Sequence, residues 1–427
     1  MPVSAAHISL EDQLLRQSLL QERLASVLFR NPKALAPLLR SALRSKADFA
    51  ECLRANARIT ARGLAYNSKL VDWVREQRRA GVPVALVARP GETIATEIAG
   101  HLGIFDEVLS GESASMTPVT LDRPRLWKAI PKALRVHQWT KNFLIFVPLL
   151  TSHRLFEIPQ LLAACVAFVA FSCCASAIYI LNDLIDLPND RAHERKRFRP
   201  LASGALPISW GIAAMFVLLA GSLALTSLLP GSFGFMLALY LVTTVAYSSR
   251  LKRMLLVDVF TLAALYILRV LAGSAATNVP SSAWLLSFSG FVFFSLALAK
   301  RVSELGNLNK AQRANAPGRG YFTADLSQLS TFGVASAFAA SVVLSLYISS
   351  PRSVVLYHQP GFLWLLCPVY LYWMLRLWMI AHRGHLDEDP ITFAARDGVT
   401  RYIVALVIAI MSLAALWRGP FPSAFEN

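Results

Sequence analysis

The chain has 427 residues, of which 55% are hydrophobic and only 16% are charged, and its mean hydropathy is +0.48. These values lie outside the usual range of soluble domains and indicate a membrane protein. The formal net charge is +16, and no nucleic-acid partner is expected.

The first 140 residues are rich in Arg, Glu and Lys, and residues 1–120 among them predict a small soluble domain. Within it, the apolar run 85–88 predicts a buried strand, and residues 92–102 predict a helix. The amino terminus carries Glu11 and Asp12 and lacks the apolar core of a secretory signal. This domain is therefore expected to stay in the cytoplasm.

Residues 121–140 include Arg123, Arg125, Lys132 and Arg135 and predict a basic amphipathic linker. Such a linker is expected to lie against anionic lipid headgroups. The five cysteines of the chain show no metal-type spacing, and four lie in apolar segments. The pair Cys173-Cys174 predicts helix packing.

Residues 141–420 predict the membrane domain, because nine apolar windows in it have about the length that crosses a bilayer. The windows cover residues 142–152, 158–182, 208–229, 231–249, 256–276, 282–300, 328–349, 361–381 and 399–417. The first window is the weakest, because Pro148 and His153 shorten it. The predicted fold is an all-α polytopic membrane bundle of about nine transmembrane helices, preceded by the small α/β domain.

The loops between these windows alternate in basic charge. One set carries Arg191, Arg195, Lys196, Arg197, Arg199, Arg250, Lys252, Arg253, Lys300, Arg301, Lys310, Arg313, Arg319, Arg383, Arg396 and Arg401. The opposite set carries only Arg154, Arg352 and Arg418. By the positive-inside rule, the first set faces the cytoplasm of a bacterial-type plasma membrane, and so does any active site there.

The most informative segment is Asn182-Asp183-Leu184-Ile185-Asp186-Leu187-Pro188-Asn189-Asp190, which ends the second window. Asp183, Asp186 and Asp190 are spaced i, i+3, i+7 and would share one face of a helix. Like charges this close repel unless a hard cation lies between them, and Mg²⁺ binds carboxylates together with substrate phosphates. We predict these three aspartates as catalytic, with Asp183 and Asp186 as ligands of Mg²⁺, or alternatively Mn²⁺.

A basic cluster follows this segment, and a metal ion combined with Arg and Lys is how proteins hold a diphosphate. The predicted substrate-binding residues are Lys141, Asn142, Asn182, Arg197, Arg199, Tyr247, Lys252, Asp258, Arg269, Lys300, Arg301 and Glu304. Asp258 and Arg269 lie within one apolar window, so both are expected to face the bundle interior without touching each other. Structural ion pairs with other helices are the alternative for these two, and snorkelling is the alternative for Lys141 and Lys252.

The sequence NDLIDLPND, followed by RKRFRPLASG, resembles the first aspartate-rich motif of the UbiA-type intramembrane prenyltransferases. Further motifs resemble one branch, the decaprenyl-phosphate phosphoribosyltransferases: QWTKN at 138–142, YSSRLK at 247–252, LVDVFTLAALYILRVLAG at 256–273, AKRVSE at 299–304 and DEDP at 387–390. The resemblance covers about residues 125–417. Where that branch has Arg-Pro before Gln-Trp, this chain has Arg135-Val136-His137, and we assign no role to these positions.

The resemblance implies Mg²⁺-dependent transfer of 5-phosphoribosyl from phosphoribosyl diphosphate to a polyprenyl phosphate, for synthesis of cell-envelope polysaccharide precursors. Aromatic prenyltransferases of the superfamily carry a second acidic motif, whereas residues 300–304 here contain two cations and one carboxylate. Transfer of a prenyl group to 4-hydroxybenzoate is the alternative, and a non-catalytic lipid-binding or transport protein is the second alternative. Association into a homo-oligomer is left open.

The segment Phe105-Asp106-Glu107-Val108-Leu109-Ser110 resembles haloacid-dehalogenase-like hydrolases. In that family an aspartate nucleophile and a general acid follow the first strand, but Ser9 and Glu11 occupy those positions here. The phosphatase chemistry needs a carboxylate nucleophile and Mg²⁺. The resemblance therefore implies a degenerate, non-catalytic domain, and a chain that starts near Leu121 is expected to keep transferase activity.

Overall fold

The computed structural model describes residues 6–111, 126–310, 319–386 and 389–418. Several predictions fall outside these residues, namely those on Arg123, Arg125, Arg313, Asp387 and Glu388. The chain divides into two compact units. Unit 1 contains Met1–Val136 and Ser176–Leu219, and unit 2 contains His137–Ala175 and Ala220–Asn427.

Unit 1 contains a three-stranded parallel sheet in the order β1-β2-β3. The strands are β1 (Ala6–Ser9), β2 (Val84–Ala88) and β3 (Glu107–Ser110). All five residues of β2 are buried, as expected for the central strand of a parallel sheet covered on both faces. This strand confirms the one predicted at 85–88. Residues 6–111 are called the sheet domain below.

The sheet domain has five α-helices, and a sixth helix lies in the described part of the predicted linker. They are α1 (Leu19–Arg30), α2 (Leu35–Arg44), α3 (Lys46–Asn56), α4 (Ser68–Arg79), α5 (Ile94–Leu102) and α6 (Leu126–Ala133). The Ser18 side chain caps α1 by accepting a hydrogen bond from the Gln21 N–H. Helix α5 confirms the helix predicted at 92–102, and it starts two residues later than predicted.

The rest of the described chain is almost entirely helical. Its α-helices are α7 (Val147–Thr151), α8 (Ile158–Ile185), α9 (Leu187–Ala192), α10 (Ile208–Thr226), α11 (Gly231–Ser249), α12 (Val257–Thr277), α13 (Ala283–Lys310), α14 (Leu326–Ile348), α15 (Pro351–Leu356), α16 (Leu366–His382), α17 (Pro390–Arg396) and α18 (Gly398–Leu416). Within the described residues, eight helical segments are long and apolar enough to cross a membrane. They coincide with eight of the nine predicted windows and confirm the helical membrane fold.

The first predicted window, 142–152, differs from the others. It consists of a 3-10 helix, Val136–Phe146, followed by the short helix α7. Pro148 occupies the first turn of α7, where a residue without an N–H is tolerated, and so a new helix begins there instead of a continuous one. An apolar window shows that a segment is hydrophobic, but it does not show whether the segment forms one spanning helix or two short ones.

The core of unit 2 lies among α12, α13, α14 and α16. Two glycines allow close approach there: a Cβ at Gly273 would overlap the Ile145 carbonyl, and a Cβ at Gly333 would overlap the Trp378 ring. Small residues at helix contacts are the usual means by which membrane helices approach closely. Helix α18, by contrast, leaves large apolar side chains exposed, among them Ile408, as a lipid-facing helix does.

Candidate active site

The predicted aspartates lie where α8 ends and α9 begins, in unit 1. Asp186 stands between the two helices, and Pro188 lies in the first turn of α9. The helical repeat nevertheless continues, because the Asp186 N–H donates to the Asn182 carbonyl at 2.9 Å and the Asp190 N–H donates to the Asp186 carbonyl at 2.9 Å. Residues 182–190, called the acidic segment below, therefore keep the spacing that the sequence predicted.

Asp183 and Asp190 converge on a single cation. Arg199 Nη1 lies 3.1 Å from Asp183 Oδ1 and 2.6 Å from Asp190 Oδ2. Both aspartates are buried, with 4% and 2% of their surface exposed. Two buried carboxylates this close need a positive charge between them, and the Arg199 guanidinium supplies it.

Arg135 is a second cation at Asp183, and the sequence interpretation left it without a role. Its Nη2 lies 2.5 Å from Asp183 Oδ1, and its guanidinium lies over the Tyr179 ring at 4.9 Å. Its φ of 51° is in the left-handed region that side chains rarely adopt, which marks a position held by its surroundings. Its position three residues before the QWTKN motif was the available sequence signal.

Asp186 differs from its two neighbours in the acidic segment. It is half-buried, and its carboxylate has no hydrogen-bond or ion-pair partner among the residues that the structure describes. Asn182, also half-buried, precedes Asp183. Arg197 is exposed and lies over the Phe198 ring at 4.9 Å. Asp186 and Arg197 are thus open to a ligand.

The donor set of the acidic segment fits a magnesium ion. Within the described residues, no group of three or more His, Cys, Asp or Glu side chains is arranged to hold a metal. Mg²⁺, however, usually takes one or two carboxylates from the protein and completes its shell with water and phosphate oxygens. Asp183 and Asp190 provide such a converging pair, whereas the sequence had paired Asp183 with Asp186. The ligand role of Asp186 stays a prediction.

A closed ionic network, called the arginine network, lies in unit 2. Arg301 Nε lies 2.5 Å from Asp258 Oδ2, and the same guanidinium pairs with Glu304. Solvent does not reach this pair, because Arg301 is 1% exposed and Asp258 is fully buried. The Tyr247 hydroxyl donates to Asp258 at 2.9 Å. Arg319 lies 3.6 Å from Asp258 and 3.4 Å from Glu304.

This network changes the prediction for Arg301. Its N–H groups point to Asp258, Glu304 and Tyr247, and removing one partner of such a buried pair leaves an uncompensated charge. All three nitrogens of this guanidinium are engaged and the side chain is buried, so we propose no phosphate contact for Arg301. Asp258 forms a structural ion pair with another helix, which is the alternative that the sequence had left open for it. Arg319 had been considered only as a basic loop residue.

A pair of lysines, called the lysine pair, shares one carboxylate in unit 2. Asp389 Oδ2 lies 3.0 Å from Lys141 Nζ and 3.4 Å from Lys300 Nζ, and the Tyr266 hydroxyl donates to Asp389 Oδ1 at 2.6 Å. Burial alone would raise the pKa of Asp389, but the two ammonium groups hold that pKa well below its usual range. Two ammonium groups against one carboxylate leave a net positive charge. Asp389 and Tyr266 were not among the predicted site residues.

Arg269 lies in the interior of unit 2, away from Asp258 as predicted. Its Nε donates to Asn142 Oδ1 at 3.0 Å, and its Nη2 donates to the Tyr240 hydroxyl at 3.1 Å. Its guanidinium lies within 6 Å of three aromatic rings, those of Phe171, Tyr240 and Tyr266. Among the described residues no carboxylate pairs with it. Cation–π contacts and hydrogen bonds therefore stabilise this charge.

Two predicted residues remain. Asn142 is buried and connects Arg269 to helix α8, because its Nδ2 donates to Ser172 Oγ at 2.9 Å. Lys252 is half-buried in the 3-10 turn Leu251–Arg253, and it has no ion-pair partner within the described ranges. Lys252 is accordingly available to an anionic ligand.

A large apolar cavity of about 1310 Å³ lies in unit 2. Its lining includes Leu144 and Pro390, which are close in sequence to Lys141 and Asp389, and residues of helices α13, α14 and α18. Its volume exceeds the roughly 300–1,000 Å³ of ordinary small-molecule sites. Representative lining residues are Phe288, Leu296, Val343, Tyr357, Val407 and Met411.

Comparison with known proteins agrees with these observations. Residues 143–400 match the model of the UbiA prenyltransferase family. An uncharacterized protein, y4nM of Sinorhizobium fredii, is 31% identical over 95% of this chain and 90% of its own. Nodulation protein NoeC of Azorhizobium caulinodans is 37% identical over 62% of this chain and 87% of its own. Decaprenyl-phosphate phosphoribosyltransferase of Mycobacterium tuberculosis is 34% identical over 44% of this chain and 63% of its own. The chain is thus a multi-pass membrane protein that belongs to the UbiA prenyltransferase family.

Proposed function

We propose that this protein transfers 5-phosphoribosyl from phosphoribosyl diphosphate to a polyprenyl phosphate of the decaprenyl type and releases diphosphate. The observation that carries the proposal is the lysine pair on Asp389, which lies next in sequence to Pro390 at the apolar cavity. A phosphate headgroup needs clustered cations, and a polyprenyl chain needs a long apolar space. The name of the Mycobacterium tuberculosis relative supports the same transferred group and the same acceptor.

The acceptor phosphate binds at Lys141 and Lys300 in this proposal. Asp389 holds both ammonium groups within hydrogen-bond reach of one carboxylate, so they are already oriented before the lipid arrives. Preorganised charges lower the cost of ordering a site on binding. The prenyl chain then occupies the cavity, whose lining residues Phe288, Val343 and Val407 are apolar.

The donor diphosphate binds at the acidic segment. Mg²⁺ held there would neutralise the leaving diphosphate. Asp183 and Asp190 would hold the ion, and Asp186 of the same segment would offer a further carboxylate oxygen. Arg135 and Arg199 neutralise these carboxylates, and their remaining N–H groups would bind the donor phosphates. Departure of diphosphate leaves an oxocarbenium-like ribose, and the acceptor phosphate is already an anionic nucleophile. Positioning and charge stabilisation therefore matter more than a general base.

The orientation follows from the same charges. The helix ends that carry Arg197, Arg199, Lys252 and Lys300 are the basic ones, so we place them in the cytoplasm of a bacterial-type plasma membrane. Phosphoribosyl diphosphate is a water-soluble metabolite that would reach the acidic segment from that side. The lipid product would then enter the synthesis of cell-envelope polysaccharide.

The direct test gives the purified protein two substrate pairs. Labelled phosphoribosyl diphosphate is supplied with decaprenyl phosphate, and separately a polyprenyl diphosphate is supplied with labelled 4-hydroxybenzoate, each with Mg²⁺ and with EDTA. We expect labelled lipid only from the first pair, and only with Mg²⁺. Product from the second pair alone would replace the phosphoribosyl assignment with aromatic prenyl transfer. No product from either pair would favour the lipid-binding alternative.

A further inference from the structure

A buried ion pair joins the sheet domain to the acidic segment within unit 1. Arg191, the residue after Asp190, binds Glu22 of α1 with two nitrogens, at 2.7 Å and 3.1 Å. The two side chains are 5% and 1% exposed. The same guanidinium donates to the Gly63 carbonyl at 2.5 Å and to the Ala202 carbonyl at 3.0 Å. One side chain thus connects α1, the turn Ala61–Gly63, helix α9 and the loop that precedes α10.

A buried ion pair of this kind requires a specific geometry, because burying charge is unfavourable. Moving two charges out of water is unfavourable, and this cost is offset only when the geometry and the extra hydrogen bonds are good. A bidentate pair satisfies this condition, because the planar fork of arginine matches the carboxylate. The sheet domain and helix α9 are therefore held in one arrangement.

Apolar packing supports the same connection. Ala25 and Phe29 of α1 belong to one hydrophobic cluster with Leu184 and Leu187, the apolar residues that alternate with the aspartates of the acidic segment. Leu184 and Leu187 are fully buried. The domain thus covers the apolar side of the segment whose polar side carries the carboxylates.

Gln17 fixes the loop on the other side of the site. Its Nε2 donates to the Leu206 carbonyl at 3.0 Å, and its Oε1 accepts from the Ile208 N–H at 3.2 Å. Gln17 is 4% exposed. The loop held this way, which follows Arg199, leads into α10. Arg199 bridges Asp183 and Asp190. Helix α9, which contains Asp190, and the loop after Arg199 are therefore both attached to the sheet domain.

We propose that the sheet domain is a scaffold that holds the acidic segment and Arg199 in the geometry that binds the metal, with Glu22, Arg191 and Gln17 as its positioning residues. The effect on transfer rests on the proposed function, but the effect on metal binding does not. The proposal reverses the expectation that a chain starting near Leu121 keeps activity, because that chain would lack Glu22 and Gln17.

Loss of the Glu22 carboxylate is expected to weaken metal binding at the acidic segment. Without the Glu22 carboxylate, Arg191 is a buried charge one residue from Asp190, and it would compete with a metal ion for the aspartates. Loss of partners that orient metal ligands typically lowers metal affinity by about 10- to 100-fold. A purely structural role of Glu22 would lower thermal stability and leave metal affinity unchanged.

The experiment compares Glu22→Gln with the full-length wild type. Mn²⁺ binding is measured by electron paramagnetic resonance, and the half-activating Mg²⁺ concentration is measured separately from kcat at saturating Mg²⁺. The matched control is Glu92→Gln, because Glu92 is also paired with an arginine of α1, Arg23, but does not contact the acidic segment. A second variant, Gln17→Ala, leaves no unpaired charge and covers the case in which Glu22→Gln does not fold.

We expect Mn²⁺ affinity to fall by about tenfold or more in Glu22→Gln and to fall in Gln17→Ala, with Glu92→Gln like the wild type. Wild-type affinity in Glu22→Gln and Gln17→Ala would overturn the scaffold role, as would a wild type that binds no Mn²⁺. If the wild type transfers neither substrate pair while its variants show weakened Mn²⁺ binding, the proposed function fails and the scaffold role stands. If transfer occurs and Mn²⁺ affinity is unchanged in the variants, the proposed function stands and the scaffold role fails.

Discussion

Lys300 and Arg301 follow one another on α13, but their side chains have different partners. Lys300 shares Asp389 with Lys141 at 3.4 Å, whereas Arg301 lies fully buried against Asp258 at 2.5 Å. Successive residues of a helix point about 100° apart, so one reaches the lysine pair and the other the arginine network. One side chain remains open to a ligand, and the other holds helices together.

The first prediction separates these two roles. Lys300→Ala should raise KM for the polyprenyl phosphate, because a charge-assisted contact is worth about 1.5–3 kcal/mol, or roughly ten- to hundredfold. Steady-state kinetics with varied lipid measures this effect, and Lys310→Ala on the same helix is the control. An unchanged KM in Lys300→Ala would remove the lysine from the acceptor site.

Arg301→Gln is expected to act on stability instead. It leaves Asp258 buried without its main partner, which typically costs about 3–5 kcal/mol. Thermal unfolding of the purified protein should show a clearly lower midpoint than for Lys300→Ala. If Arg301→Gln is as stable as the wild type but raises KM for either substrate, the network interpretation is wrong and Arg301 contacts a phosphate after all.

Metal removal gives the third prediction. Transfer should cease in EDTA and return with Mg²⁺ or Mn²⁺, and Asp183→Asn and Asp190→Asn should each lower kcat by at least about 100-fold, as losing one electrostatic group of a site does. Asp186→Asn distinguishes the two ligand pairs. A loss as large as that of Asp183→Asn would favour the sequence-predicted pair, and a smaller loss in Asp186→Asn than in Asp190→Asn would favour the pair that converges at Arg199.

Both the spacing of the aspartates and the long helices could be predicted, because each depends on residues that are near in sequence. A carboxylate every third or fourth residue lies on one face of a helix, and an apolar run of sufficient length spans a bilayer. The partners could not be predicted. Arg135 and Asp183 are 48 residues apart, and Arg191 and Glu22 are 169 apart. Which helix faces which is decided by tertiary packing, and a single sequence gives little information about it.

The pKa of Asp389 leads to a prediction about pH. The neighbouring ammonium groups lower this pKa in the folded protein. In the unfolded chain the pKa of an aspartate is about 3.9. A carboxyl with a depressed folded pKa contributes stability above its unfolded pKa, and that contribution is lost as the pH falls through the folded pKa. Asp389→Asn should therefore lower the unfolding midpoint by a constant amount from about pH 8 to pH 5, and the difference should shrink below about pH 4. A difference that grows on acidification would contradict the lysine pair.

The sheet domain is expected to lack phosphatase activity. At the end of β1, the Ser9 hydroxyl donates to Asp12 Oδ2 at 2.8 Å, and Glu11 pairs with Arg89 at 3.2 Å. No carboxylate therefore occupies the nucleophile position of the resembled hydrolases. The full-length protein should not hydrolyse p-nitrophenyl phosphate above a no-enzyme blank at any Mg²⁺ concentration. Turnover that disappears in Asp12→Asn would show that the domain has kept a different nucleophile.

The last prediction concerns the apolar cavity. Val343 and Val342 are neighbours on α14, but Val343 lines the cavity while Val342 is 58% exposed. Val343→Trp would fill part of the space proposed for the prenyl chain and would exclude the chain from that part of the cavity. We expect long acceptors to suffer most, because Val343 lies about 25 Å along α14 from the first residue of that helix. We therefore expect Val343→Trp to lower kcat/KM for decaprenyl phosphate much more than for farnesyl phosphate, with Val342→Trp leaving both near wild-type values. An equal loss for both lipids in Val343→Trp would mean that the substitution disturbs the helix and that the chain lies elsewhere.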